Sequence, residues 1–217
     1  MKRLIDLFII IIVLIVILPL MIPVVIILLL TGEHYVFYLQ DRIGKGGRTF
    51  KIIKFATMMK NSVNIGSGEI TLKKDPRVFP FGSFLRKSKI NEIPQLLNIL
   101  IGQMTIVGPR PLTPKHFNYY SDQTKETIGK LKPGLTGIAS IVFRDEEALF
   151  DKSGMDHEAF YQKFLSPKKG ELEQWYFNNQ SVVTDLKLMF CTAVVILNSD
   201  SNITYSLFKS LPRVLEK

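Results

Sequence analysis

Between Leu7 and Leu30 the chain carries no charge and no strongly polar side chain, so about 24 consecutive residues must leave water together. As one straight helix, that run would suffice to cross a bilayer. Pro19 and Pro23 lie inside it. Each removes a backbone donor and crowds the preceding turn, which predicts a kink between Leu18 and Pro23. Lys2 and Arg3 precede the run, and Arg42, Lys45, Arg48, Lys51 and Lys54 follow it. Both flanks therefore ask for the cytoplasmic side. A helix that enters the inner leaflet, breaks at the prolines and returns meets both demands, provided neighbouring groups satisfy the freed carbonyls. An ordinary kinked transmembrane anchor is the alternative, because prolines are tolerated in spanning helices. A cleaved signal peptide is disfavoured, since the run is too long and no small-residue cleavage site follows Leu30.

Charge narrows the partners. A formal net charge of +9 on 217 residues favours polyanions: nucleic acid, anionic headgroups or phosphorylated substrates. No aromatic-basic interleaving or recognition-helix pattern appears, and a chain held at a membrane meets lipid first, so nucleic acid is excluded. Cys191 is the only cysteine and cannot form an intramolecular disulfide. His34, His116 and His157 have no zinc-site spacing, so any metal would be a hard ion on carboxylates.

Beyond the apolar run, Val36 to Leu39 and Phe50 to Phe55 predict a hairpin turned by Gly46-Gly47. The Gly44-Lys45-Gly46-Gly47 stretch lacks the ending of a phosphate-binding loop and is a structural turn. Asn61 to Gly68 reads as a loop, Ile70 to Leu72 as a short strand, and Ser83 to Lys89 as a short basic helix carrying Arg86 and Lys87. A second helix begins at Asn91 as N-cap, with Pro94 in its first turn and Ile93, Leu96, Leu97 and Leu100 on its apolar face. Free N–H groups at Asn91 to Ile93 would favour a bound phosphate. Taken alone, Asn91 and Glu92 read first as a cap and a first-turn acid, which need no function. Further on, Phe117 to Leu131 and Asp156 to Leu165 predict helices, the latter with Tyr161 and Phe164 facing inward. Ile138 to Phe143 predicts a strand, and Ser181 begins a helix reaching Leu197. Trp175, Tyr176 and Phe177 suit either headgroup depth or a core. The expected fold is α+β, mainly helical with a few short strands. Residues 1–31 form the membrane helix, 32–198 a cytoplasmic domain with interfacial helices, and 199–217 a basic tail for anionic lipid or solvent.

Seven motifs occur in one order: Arg42-Ile43-Gly44; Lys54-Phe55; Asp75-Pro76-Arg77; Gly82 with Leu85-Arg86-Lys87; Asn91-Glu92-Ile93-Pro94-Gln95-Leu96 with Asn98; Gly108-Pro109-Arg110-Pro111; and Lys132-Pro133-Gly134-Leu135-Thr136-Gly137. Together they resemble the bacterial sugar transferases, the small monotopic phosphoglycosyl transferases, from Lys2 to about Phe143 and more weakly to Leu197. The resemblance implies transfer of a sugar phosphate from a UDP-sugar to undecaprenyl phosphate at the cytoplasmic face of the bacterial inner membrane, initiating surface polysaccharide or glycoconjugate synthesis. It implies Mg²⁺ on Glu92, and substrate phosphates held by Arg110, Arg86 and Lys54. Pro19 and Pro23 would break the membrane helix.

In that family an Asp-Glu pair stands at Asn91-Glu92, and its Asp attacks the sugar-bearing phosphorus. A carboxylate can serve as covalent nucleophile and a neighbouring Glu can ligate Mg²⁺. Here Asn91 is a neutral amide without that nucleophilicity. Ala56 replaces the usual Arg after Lys-Phe, Gln103 a common Asp, and Leu18 the usual Ser before the proline. Three accounts follow: another carboxylate (Asp75, Asp145, Glu146 or Glu147) serves as nucleophile, transfer is direct, or the chain is a catalytically silent relative. The last would act as a binding or regulatory partner, as a homodimer or with an active paralogue.

Overall fold

The computed structural model describes residues 2–65, 75–146, 149–150, 154–198 and 202–214. The strand expected at Ile70 to Leu72 and the candidate Glu147 lie outside these residues. Helices predominate and the strands are short, as the sequence predicts. The chain divides into two compact units, residues 1–40 with 51–102 and residues 41–50 with 103–217.

In the first unit, helix α1 (Lys2–Leu30) runs as one helical element through Pro19 and Pro23. Among the described residues it is the one helix long and apolar enough to cross a membrane. Most of its side chains are exposed, but Asp6, Ile10, Val24 and Leu28 are buried. Near its start, Arg3 donates to the carbonyls of Ile99 (2.5 Å) and Leu100 (2.8 Å). Near its end, Val24 and Leu28 share a core with Phe55 and Leu85, flanked by Val36, Phe81 and Ile90.

Strands β1 (Phe37–Ile43) and β2 (Thr49–Phe55) form the expected hairpin. Its turn places Gly46 at φ +74° and Gly47 at φ +71°, the left-handed region that glycine enters without a Cβ penalty. Helix α2 (Pro80–Lys87) begins with proline, whose missing N–H costs nothing in a first turn. A Cβ at Gly82 would lie 2.3 Å from the Thr57 carbonyl oxygen, so glycine alone lets α2 rest on that backbone.

The second predicted helix starts later than expected. Ile90–Glu92 is a single 3₁₀ turn, and α3 (Gln95–Leu100) follows with Pro94 at its cap, so Asn91 is not the N-cap. Lys89 enters the left-handed region (φ +61°), and the N–H groups of Glu92 and Ile93 donate to the carbonyls of Lys89 and Ile90 at 3.1 Å. Two of the donors expected to be open to phosphate, those of Glu92 and Ile93, are thus consumed locally.

In the second unit, β3 (Thr105–Val107) pairs in parallel with β4 (Gly134–Thr136), Thr105 opposite Gly134 and Val107 opposite Thr136. The two backbones nearly touch: a Cβ at Gly134 or Gly137 would come within 2.1 Å of Gly108 backbone atoms. The stretch expected as one helix from Phe117 to Leu131 is two, α4 (Pro114–Asn118) and α5 (Asp122–Lys130). Ser121 separates them because its hydroxyl accepts from Thr124 N–H at 3.3 Å and caps a new helix. Ile138 to Phe143, expected as a strand, instead forms helix α6 (Ile138–Val142) with Ile138, Ala139 and Ile141 buried. So short an apolar run has no period that tells the two states apart.

Helix α7 (His157–Phe160), capped by Asp156, continues through a π turn (Tyr161–Leu165) into α8 (Ser166–Asn178). Tyr161 is buried as predicted, whereas Phe164 is exposed. Trp175 and Tyr176 belong to the core and Phe177 does not. Helix α9 (Val182–Leu197) starts from Ser181, as predicted. The C-terminal stretch carries α10 (Ile203–Leu207) and sets Phe208 edge-on against Trp175.

Candidate active site

The motif residues of the first unit are arranged around β2. Lys54 Nζ lies 3.8 Å from Glu92 Oε1, and each side chain keeps only 16% of its surface. Asn98 fixes this register. Fully buried, it accepts from Ile53 N–H at 2.9 Å and donates to the Lys51 carbonyl at 2.8 Å, so α3 grips β2 just before Lys54. Asn91 is buried, and its Oδ1 has no hydrogen-bond partner among the described residues. Arg86 in the last turn of α2 donates to Thr57 Oγ1 across a long 3.5 Å. The structure therefore joins Lys54 to Glu92, and carries Asn91 and Arg86 in the same unit. Pro19 and Pro23 lie within α1.

Asp75 has a different role from the one considered for it. Its two oxygens accept from Arg77 Nε (2.8 Å) and Nη2 (2.6 Å), and both residues are buried. Arg77 also donates to the carbonyls of Ser62 (2.6 Å) and Ile65 (2.8 Å). The hydrogen bond to Asp75 raises the guanidinium pKa further above its ordinary value. Asp75-Pro76-Arg77 is thus a pinned turn and its carboxylate is already committed.

Arg110 belongs to the second unit, an exposed side chain between the buried Pro109 and Pro111. Its turn is held on several sides. Gly108 N–H donates to Thr136 O (2.9 Å), Gly134 N–H to Pro109 O (2.8 Å), and Arg42 Nη1 to Pro111 O (2.9 Å). The buried carboxyl of Glu173 accepts the Arg110 backbone N–H. Of the acids after α6, Asp145 is exposed and Glu146 pairs with Lys169 at 2.5 Å. Among the described residues no three His, Cys, Asp or Glu side chains cluster as a metal site.

Sequence reasoning assigned no role to Asn98 or Glu173. A buried Asn on an otherwise apolar helix face was the available signal for the first. Nothing local announced the second, because its partner lies 63 positions away in the chain.

The sequence model of the family described as bacterial sugar transferase matches residues 1–199. The chain belongs to the bacterial sugar transferase family. Its relatives include an uncharacterized sugar transferase, EpsL, of Bacillus subtilis, 32% identical over 92% of this chain and 89% of that protein. The exopolysaccharide production protein ExoY of Sinorhizobium fredii is 34% identical over 72% of this chain and 68% of its own length. An undecaprenyl-phosphate galactose phosphotransferase of Salmonella typhimurium is 29% identical over 75% of this chain. This family member spans about a third of that enzyme, and likewise of an uncharacterized sugar transferase of Haemophilus influenzae.

Proposed function

We propose that the chain transfers a sugar phosphate from a UDP-sugar to undecaprenyl phosphate at the cytoplasmic face of the bacterial inner membrane, starting surface polysaccharide or glycoconjugate synthesis, and does so without a nucleophile at position 91. The observation that carries this is the sheltered Lys54–Glu92 pair beside a buried Asn91 whose amide oxygen has no partner among the described residues. Polar groups withheld from water at a cost are what a phosphate and its counter-ion would satisfy.

With a neutral amide at 91, the sugar phosphate passes directly. An oxygen of the lipid phosphate attacks the sugar-bearing phosphorus and forms a new P–O bond. The bond from that phosphorus to the bridging oxygen breaks, and uridine monophosphate leaves with the electron pair. Such a transfer asks the protein for alignment and charge stabilisation rather than covalent chemistry. In the first unit Lys54 and Arg86 offer positive charge to phosphate oxygens, and in the second Arg110 offers phosphate a planar two-pronged fork. Glu92 and Asn91 Oδ1 are hard oxygen donors of the kind that would hold an Mg²⁺ ion. When bound, that ion neutralises the diphosphate. Asp75 and Glu146, each held in an ion pair, do not replace the nucleophile.

The membrane helix takes the re-entrant form. Arg3 bonds to the end of α3, and Val24 and Leu28 share a core with Leu85, which supports both ends of α1 lying on the same side. Labelling a cysteine placed at the N-terminus and another at Gly46 in intact cells tests this. Both should be shielded from outside, and an externally labelled N-terminus would end the idea.

A second reading has its own support. Asn91 is neutral, and Ala56, standing where the family carries Arg, is 1% exposed and leaves no guanidinium there. A silent binding partner, alone as a homodimer or beside an active paralogue, would keep the fold and lose turnover. Release of uridine monophosphate from a panel of UDP-sugars, with undecaprenyl phosphate and Mg²⁺, separates the two. Turnover by wild type supports direct transfer, whereas turnover by Asn91→Asp alone supports the silent partner.

A further inference from the structure

The Pro109-Arg110-Pro111 turn has an unusual backbone economy. Proline lacks an N–H, so Arg110 carries the only backbone donor of the three residues. Two of its carbonyls have partners, Pro109 O accepting from Gly134 and Pro111 O from Arg42, and the next carbonyl, Leu112 O, accepts from Ile43. The single donor goes to Glu173, a side chain on α8 that is 3% exposed. Its other oxygen, Oε2, has no hydrogen-bond partner among the described residues. A buried carboxyl is costly to retain. Substituting a hydrocarbon would remove that cost but leave Arg110 N–H without an acceptor. Burial pushes the carboxyl up to about 8, against the opposing pull of Lys169, so near neutral pH it is mostly the neutral acid. A neutral acceptor holds the turn without placing a counter-charge behind a guanidinium needed for phosphate.

We propose that Glu173 is a positioning residue for Arg110: by accepting the one backbone donor between two prolines, it sets the direction in which the guanidinium leaves the turn toward a phosphate. This rests on Arg110 holding substrate phosphate, as proposed above. The wider cluster around Glu173 includes Lys169, Glu146, Tyr120 and Tyr176. Lys169 is occupied by Glu146, and Tyr176 by Asp185 at 2.6 Å. An ammonium has no acceptor to offer, and the Tyr176 hydroxyl is already engaged.

Two measurements on the full-length protein in nanodiscs test the proposal. The first is hydrogen exchange in a peptide spanning residues 104–116, where Arg110 supplies the one exchangeable backbone amide between Pro109 and Pro111. The second is the affinity for UDP by calorimetry. Glu173→Leu keeps the side-chain volume and removes the acceptor. Glu173→Gln keeps a neutral acceptor, and Glu173→Ala guards against a packing defect peculiar to leucine. Arg110 exchange should accelerate tenfold or more in the Leu and Ala variants and stay slow in Gln. UDP affinity should fall about tenfold in the Leu and Ala variants, be rescued in Gln, and fall no further when Arg110→Ala is added. Unchanged exchange, or wild-type UDP affinity in Glu173→Leu while Arg110→Ala weakens it, overturns the positioning role. Unchanged affinity in Arg110→Ala itself removes Arg110 from phosphate binding, and the positioning role with it, whatever Glu173 does.

Discussion

Replacing Asn98 should cost more than its size suggests, because its amide serves two backbone groups of β2 at once. The carbonyl accepts from Ile53 N–H at 2.9 Å and the amide donates to Lys51 O at 2.8 Å. Asn98→Leu keeps most of the volume and deletes both bonds. A buried backbone group left unpaired costs roughly 1–3 kcal/mol. Ile53 is only half-buried and Lys51 is exposed, so water can partly serve the stranded carbonyl. The expected sum is therefore about 2–3 kcal/mol. For a domain of this size each kcal/mol lowers the melting temperature by about 2–4 °C, giving a fall of roughly 4–12 °C. Asn98→Asp preserves the acceptor for Ile53 but turns a carboxylate oxygen toward Lys51 O, and should be at least as damaging. The assay is thermal unfolding followed by circular dichroism in nanodiscs, paired with hydrogen exchange at Ile53. A Leu variant within about 0.5 kcal/mol of wild type, with Ile53 still protected, would refute the clamp.

Gly82→Ala should push α2 away from Thr57, since the new Cβ meets a backbone oxygen at 2.3 Å that no rotamer can relieve. Weakened protection of Phe79 N–H, which donates to Thr57 O at 3.1 Å, would report it. Asp75→Ala should destabilise by about 3–5 kcal/mol, because it leaves the Arg77 guanidinium buried without its counter-charge. An activity loss at unchanged stability would instead restore Asp75 as a nucleophile. Glu173, pushed from its ordinary 4.5 to about 8, holds a proton in the folded state that the unfolded chain has already released. Its contribution is therefore full below about pH 4.5 and lost as pH rises to about 8. The slope it adds is at most about 1.4 kcal/mol per pH unit. Glu173→Gln should flatten that part of the stability profile measured by denaturant titration, and an unchanged profile would contradict the raised value.

Sequence periodicity and punctuation revealed the elements that carry their own local signals. Gly46-Gly47 announced the hairpin, Ser181 began α9, and the apolar run made α1. Three stretches misled for physical reasons. Ile138 to Phe143 is too short for its apolar residues to distinguish strand from helix. Ser121 divides the helix expected from Phe117 to Leu131 by offering its hydroxyl as a cap. At Asn91, the left-handed Lys89 leads into a 3₁₀ turn in place of the expected helix start. The motif residues were legible through their order along the chain, which resembles that of a known family, rather than through any one of them. What the chain alone could not show was long-range pairing: Asn98 reaching across to β2, and Glu173 to the Arg110 turn.

Helix α1 is more than a tether, and that changes what a truncated protein would be. Val24 and Leu28 line the same core as Phe55 and Leu85, and Arg3 closes the carbonyl end of α3. Cutting the chain at Glu33 would strip two aliphatic side chains from that core, each worth roughly 1.5–3 kcal/mol, and would uncover the apolar wall they covered. The fragment would gain a sticky surface in exchange for a lost anchor. Solubility for such a protein has to come from a lipid substitute around α1 rather than from its deletion.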